Sequence, residues 1–149
     1  MEYESGELYI YNRDLTFLGV VDTYSSLRWR RKYFEAGEFE IHLQVTEKNL
    51  NMFKKDTIVT RQGSTEAGFV KNIEITEGKD NTELVISGRF LSYFLYRRIV
   101  KQKVVFAGKI LDGMRKLLKQ MRPFKALEIE ESDLDSPEVV FQCTYKNVY

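Results

Sequence analysis

Residues 27–43 read LRWRRKYFEAGEFEIHL and hold the densest run of chemistry in the chain. Arg28, Arg30, Arg31 and Lys32 stand among Trp29, Tyr33 and Phe34. Cations that track phosphates, beside aromatics that stack on bases, are the parts of a nucleic-acid-binding surface. The same letters also fit one half of a β-hairpin, because strand side chains alternate between faces. Leu27, Trp29, Arg31 and Tyr33 then share one face, and Arg28, Arg30, Lys32 and Phe34 the other. Phe39, Ile41, Leu43 and Val45 repeat the pattern, with Glu38, Glu40, His42 and Gln44 on the opposite side. Glu35-Ala36-Gly37 between them is a short glycine-containing link. With Phe34 opposite Glu38, Tyr33 meets Phe39, Trp29 meets Leu43, Leu27 meets Val45 and Lys32 meets Glu40. Such cross-strand pairs contribute about 0.2–1 kcal/mol each, and only Arg31–Ile41 is mismatched. The hairpin is the simpler reading. Its wet face, Arg28, Arg30 and Lys32 beside Glu38 and Glu40, is a mixed-sign surface for contact or for solvent.

Catalytic and metal chemistry finds few parts elsewhere. One Cys143 and one His42 are too few for a zinc site. His42 falls on the polar side of its strand and reads as a surface or rim residue, and Cys143 alternates with Phe141 and Val139 as a small packing group. No G-x-S-x-G stretch supports a serine nucleophile, AGKILDG lacks P-loop spacing, and SGRF is no dinucleotide fingerprint. The acidic run Glu128, Glu130, Glu131, Asp133 and Asp135 lacks the glycine and spacing of a calcium loop and reads as a solvated turn. Lys109, Arg115, Lys116, Lys119 and Arg122 form a basic helix face of an ordinary kind. No cofactor and no enzymatic activity are expected.

Composition narrows the class. The chain has 149 residues, 43% hydrophobic and 30% charged, enough to bury a core in one domain or a compact pair of subdomains. A net charge of +1 gives no global pull towards nucleic acid. A single cysteine allows no intramolecular disulfide and points to a reducing compartment. No apolar run approaches the roughly 18 residues that span a bilayer.

The elements that must position these residues are mostly strands. ELYIYN (7–12), FLGVVDTY (17–24), the hairpin, TIVTRQ (57–62), EAGFVKNIEITE (66–77) and TELVISGR (82–89) alternate, with Gly68 read as a bulge. Leu50 and Phe53 are spaced for one helical turn opened by Thr46 as N-cap. The period then lengthens. Phe90, Leu91, Phe94, Leu95 and Ile99 share one helical face, and Phe106, Ile110, Met114, Leu117, Leu118 and Met121 form a second stripe, ended by Pro123. KALEIEE and EVVFQCT read as two more strands. In TYKNVY, Tyr145, Val148 and Tyr149 suggest the first turn of a further helix, so the sequence reads as a fragment of a longer protein.

The order of these segments resembles a known family. LYIYNRDLTFLGVVDTYSSLRWRRKYFEAGEFEIHL, then EAGFVKNIEIT, then LVISGRFLSYFLYRRIV, is similar to the N-terminal region of tail-hub proteins from siphophages and related prophages. NRDLTFLG, EAGEFEIHL and GRFLSYFLYRR carry the likeness, and FQCTYKNVY resembles the point where such proteins enter another helix. The resemblance implies a β-barrel-containing hub. Such hubs assemble as homotrimers at the tail tip, where two barrel-like domains per subunit approximate six-fold symmetry. They join the distal tail protein to tip components around the path of the tape measure protein and DNA. It also implies a virion-tail location after assembly in the bacterial cytoplasm. Longer members carry hydrolase or host-binding extensions that this stretch does not include.

The expected fold is therefore α+β, mostly antiparallel, a barrel-like sheet with two or three helices. Residues 1–89 would form the barrel and 90–149 a helix-containing second part. Trp29, Phe39, Leu43, Phe69 and Ile73 are the expected sheet core, with Phe90, Phe94, Ile110, Met114 and Leu117 beneath the helices.

Overall fold

A computed structural model describes residues 6–78, 82–121 and 136–144, arranged in two compact units, Met1–Tyr93 and Phe94–Tyr149. In the first, β1 (Leu8–Tyr11), β2 (Phe17–Val21), β3 (Ser26–Arg30), β4 (Glu38–Gln44), β5 (Ile58–Arg61), β6 (Ala67–Glu77) and β7 (Thr82–Phe90) build one antiparallel sheet. The spatial order is β2-β1-β5-β6-β7-β4-β3. The helix α1 (Glu47–Met52) starts as the sequence predicts, with Thr46 accepting a hydrogen bond from the Asn49 amide.

The expected barrel is not closed. The edge strands β2 and β3 do not pair with each other. They are nevertheless consecutive in the chain, and the connection 22–25 can span at most about 18 Å. The sheet must therefore curl until its two edges approach. The concave side buries Leu8, Ile10, Val21, Phe39, Ile41, Leu43, Met52, Phe53, Val59, Val70, Leu84, Ile86 and Phe90. Trp29 packs against this core from β3, 5.5 Å from the Phe39 ring and 4.8 Å from the Phe90 ring.

The hairpin exists with a different register. Trp29 pairs with Phe39, Leu27 with Ile41, Arg28 with Glu40 and Arg30 with Glu38, not Trp29 with Leu43 and Lys32 with Glu40. The two alignments differ by an even number of residues, so every side chain keeps its face. The observed one removes the Arg31–Ile41 mismatch by setting Leu27 opposite Ile41. It also lengthens the link to 31–37 and leaves Tyr33 (91% exposed) and Phe34 (84% exposed) outside the core.

Two further expectations fail along β6. The bulge falls between Val70 and Asn72, not at Gly68. Gly68 is glycine for a packing reason: a Cβ there would lie 2.6 Å from Phe39 Cδ1. Ile73 is not core. β5 pairs with β6 only up to Phe69, and residues 71–77 run on exposed along β7 alone. Phe69 is buried, outside the main cluster and near the ring of Tyr93.

The helical stripes are shorter than their periodicity suggests. Phe90 ends β7, its amide bonded to the Gly37 carbonyl and that of Leu91 to the Ala67 carbonyl, so only the single turn α2 (Tyr93–Tyr96) follows. In the second unit, Phe106 belongs to β8 (Val104–Lys109), which pairs with β9 (Glu138–Cys143) beside α3 (Ile110–Met121). Ile110 and Met114 are exposed, contrary to expectation. The helix instead presents Gly113 to the hairpin, where a Cβ would lie 2.8 Å from Phe141 and 2.9 Å from Phe106. Pro123, the acidic run, KALEIEE and the last residues lie outside the described residues.

Phe39 and its glycines give a stability test. Gly68→Ala pushes on the Phe39 ring and should cost about 1–3 kcal/mol in urea unfolding. Phe39→Leu should relieve part of that cost, with a coupling of about 1 kcal/mol in a double-mutant cycle. Gly88→Ala should not be relieved, because its Cβ also meets the Phe69 carbonyl oxygen. Strict additivity of Gly68→Ala with Phe39→Leu would refute this account of the core.

Candidate interaction surface

The alternation that buries Trp29, Phe39, Ile41 and Leu43 turns Arg28, Arg30, Glu38, Glu40 and His42 to the convex side. β7 continues the same face with Ser87 opposite Glu40 and Arg89 opposite Glu38, and β6 adds Asn72 opposite Ser87. A cleft of about 270 Å³ lies there, lined by Arg28, Glu38, Glu40, Lys71, Ser87 and Arg89 among others. The bulged residue Lys71 places its ammonium 5.5 Å from the ring centroid of Tyr93, and the Arg89 guanidinium lies 5.9 Å from the same ring.

All five residues expected from sequence meet on this face. Arg28 pairs with Glu40 at 3.8 Å and Arg30 with Glu38 at 3.6 Å. Lys32 leaves the strand and folds back from the link 31–37 to Glu38 at 3.3 Å and Glu35 at 3.5 Å. Glu38 also receives Arg89 at 3.1 Å, so three cations converge on one half-buried carboxylate. The hydrogen bond from Lys32 holds Glu38 below the usual carboxylate range, with the charges of Lys32, Arg89 and Arg30 adding to it. Phe34, the stacking group of the nucleic-acid alternative, instead meets Tyr33 edge-on at 4.7 Å. Arg31 pairs with Glu66.

The sequence reading did not anticipate Lys71, Glu83 and Arg89. They join the surface only through long-range ladders, and no local signal marks them. His42 is more than a rim residue. Its Nδ1 lies 3.0 Å from Glu83 Oε2 and its Nε2 3.2 Å from Glu40 Oε1, while Ser25 donates to Glu83 at 3.0 Å. The Glu83 hydrogen bond, then that of Glu40, raises the imidazole above its ordinary value, and the His42 hydrogen bond lowers Glu83.

Chemically, this face is a ladder of opposite charges around a shallow cleft. Arg28, Arg30, Lys32 and Arg89 already face carboxylates, which leaves little field for a polyphosphate. Each exposed pair adds about 0–1 kcal/mol at most, so these pairs contribute little to folding. Among the described residues, no cluster of three or more His, Cys, Asp or Glu side chains is placed to hold a metal ion.

The His42 clamp has a defined pH window. A raised histidine contributes fully below its unfolded value of 6.5 and loses that contribution as pH rises through the higher folded value. The lowered Glu83 and Glu38 contribute above 4.5 and lose it as pH falls through their folded values. The clamp therefore stabilises most between 4.5 and 6.5. His42 is the chain's single histidine, so one imidazole NMR titration reads it directly. Its midpoint should lie above 6.5 and fall in Glu83→Gln; a midpoint that Glu83→Gln leaves unchanged would contradict the clamp.

Comparison with known proteins places this geometry. Over 95% of this chain, the fold matches the prophage tail protein gp18 of Listeria monocytogenes EGD-e, with a TM-score of 0.65 and 10% identity. Over 91%, it matches a tail protein of Neisseria meningitidis MC58, with a TM-score of 0.55 and 15% identity. The chain spans 42% and 40% of the length of those two proteins. No curated protein matches the sequence. Residues 7–108, from the first strand to the second unit, match the Siphovirus ReqiPepy6 Gp37-like proteins, and this chain belongs to that family.

Proposed function

We propose that this protein is a structural component of a phage or prophage tail tip, a hub subunit that acts through protein–protein contacts and not as an enzyme. The observation that carries the reading is the tail-protein fold over nearly the whole chain, joined to membership of a siphovirus family. The surface supports it as well: paired charges on a rigid sheet suit docking between proteins. In this reading the chain is the N-terminal region of a hub. It assembles as a homotrimer in the virion tail, between the distal tail protein and the tip, around the path of the tape measure protein. Arg28, Arg30, Lys32, Glu38 and Glu40 contribute to its contact surface.

A second reading is a nucleic-acid-binding module that uses Arg28, Arg30 and Lys32 with Phe34, and it draws on Phe34 standing exposed beside Tyr33. A nucleic-acid module would use such a pair for stacking. Two measurements separate the readings. Co-expression with the distal tail protein of the same phage should yield a complex, and antibody labelling should mark the tail tip. Binding to generic DNA should remain weaker than about 1 µM at physiological salt. Submicromolar DNA binding that collapses with added salt, without any complex with the distal tail protein, would overturn the hub.

A further inference from the structure

Besides β2, the sheet leaves two stretches of strand free on one side, and they are of opposite character. β3 ends the strand order, and among the described residues its backbone pairs only with β4. Residues 71–77 of β6 pair only with β7, because Asp56, at φ 68°, turns the chain away where β5 would otherwise extend. Along β3 the side chains alternate Ser26, Leu27, Arg28, Trp29, Arg30. Along β6 they alternate Asn72, Ile73, Glu74, Ile75, Thr76. Ile73 is 37% and Ile75 55% exposed, and Glu74 has no ion-pair partner among the described residues. Long edges of this kind template the addition of another strand.

We infer that these two edges join in the assembly: β3 of one copy adds antiparallel to residues 72–76 of β6 in the next copy, with Arg28 opposite Glu74. This deepens the homotrimer reading above and rests on it. The pairing sets Trp29 opposite Ile73, Leu27 opposite Ile75, Arg30 opposite Asn72 and Ser26 opposite Thr76. Both faces match. Leu27 and Trp29 share the face of Ile41 and Phe39, and Ile73 and Ile75 share that of Ile86 and Leu84, so the join continues the apolar side. Arg28 and Glu74 continue the charged side. The other edge, β2, reads FLGVV and offers Glu74 no cation. Because β3 and β6 are different surfaces of the same chain, the contact is heterologous and propagates head to tail, closing a ring where the rotation allows.

The test uses the full chain in a Cys143→Ser background. One protein carries Ser26→Cys and the other Thr76→Cys, both at exposed strand positions. Under mild oxidation, the mixture should form a disulfide-linked pair, and neither protein alone should. A separate arm follows association by sedimentation. Glu74→Arg should weaken it about tenfold, and Arg28→Glu combined with Glu74→Arg should restore it. Cross-linking of either protein with itself would overturn the head-to-tail join. Stable oligomers without a mixed cross-link would overturn the edge assignment and leave the homotrimer standing. A strictly monomeric chain would overturn both. A mixed cross-link from a protein that never labels the tail would keep the join and discard the hub.

Discussion

Phe39 sets the geometry on which the charged surface depends. Its ring fills the space that side chains at positions 68 and 88 would take, under Trp29 and inside the curled sheet. Glycine at both positions lets β6 and β7 pass close to the ring, and no other residue type fits there without displacing it. With Phe39 fixed inward, alternation fixes Glu38 and Glu40 outward, and their partners Arg30 and Arg28 with them. Core packing and surface charge are thus one constraint seen from two sides. A slip of β4 by one residue would expose Phe39 and bury two carboxylates, an exchange the fold does not tolerate.

Much of this was legible in the sequence because period-two alternation reports faces directly. Trp29 inward, Arg28 and Arg30 outward, the Thr46 cap and the run of β strands all follow from local pattern. Register was not legible to the same degree. An even shift preserves every face, so only the Arg31–Ile41 conflict spoke against the wrong alignment. Tyr33 and Phe34 show why. Their alternation continues past the end of β3, but Arg31 is drawn to Glu66 and Lys32 to Glu38, contacts between segments far apart in the chain. The helix over Phe90–Ile99 is cut to the single turn α2 for the same reason: periodicity favours a longer helix, and ladder bonds to Gly37 and Ala67 hold its first residues extended. Gly113 shows a packing role that local propensity does not report. A glycine in an amphipathic helix lowers its propensity, yet here it marks the point of closest approach to the hairpin.

The charge ladder contributes little to folding. Arg28 and Arg30 are largely exposed, and pairs of that kind are weak and screened by salt. Glu38 differs because three cations share it and it is less exposed than they are on average. Their arrangement gives that corner of the sheet a fixed pattern of sign. In the proposed docking role, a partner would have to present its own charges in the complementary order, and a wrong partner would meet like charges. His42, between Glu40 and Glu83, tethers the far end of the same ladder. The whole face is therefore an ordered polar surface, in contrast to the loosely solvated strand that composition alone suggests.

Edges complete the argument. A sheet that curls without closing leaves β2 and β3 at its ends, and where β5 stops short it also leaves part of β6 open on one side; soluble proteins blunt such edges with charge, brevity or bulges. β3 is short and carries two arginines. β6 has its bulge at Lys71, next to the point where β5 stops, but beyond it two isoleucines alternate with polar residues in an exposed run. Burying them within this chain would require β5 to extend, which the left-handed turn at Asp56 prevents. The same turn that ends the first unit's core on that side leaves an edge suited to a neighbour. An assembly protein needs such surfaces to be incomplete alone and complete in company. In the proposed join, β6 supplies the unprotected edge and β3 the short, charged one that meets it.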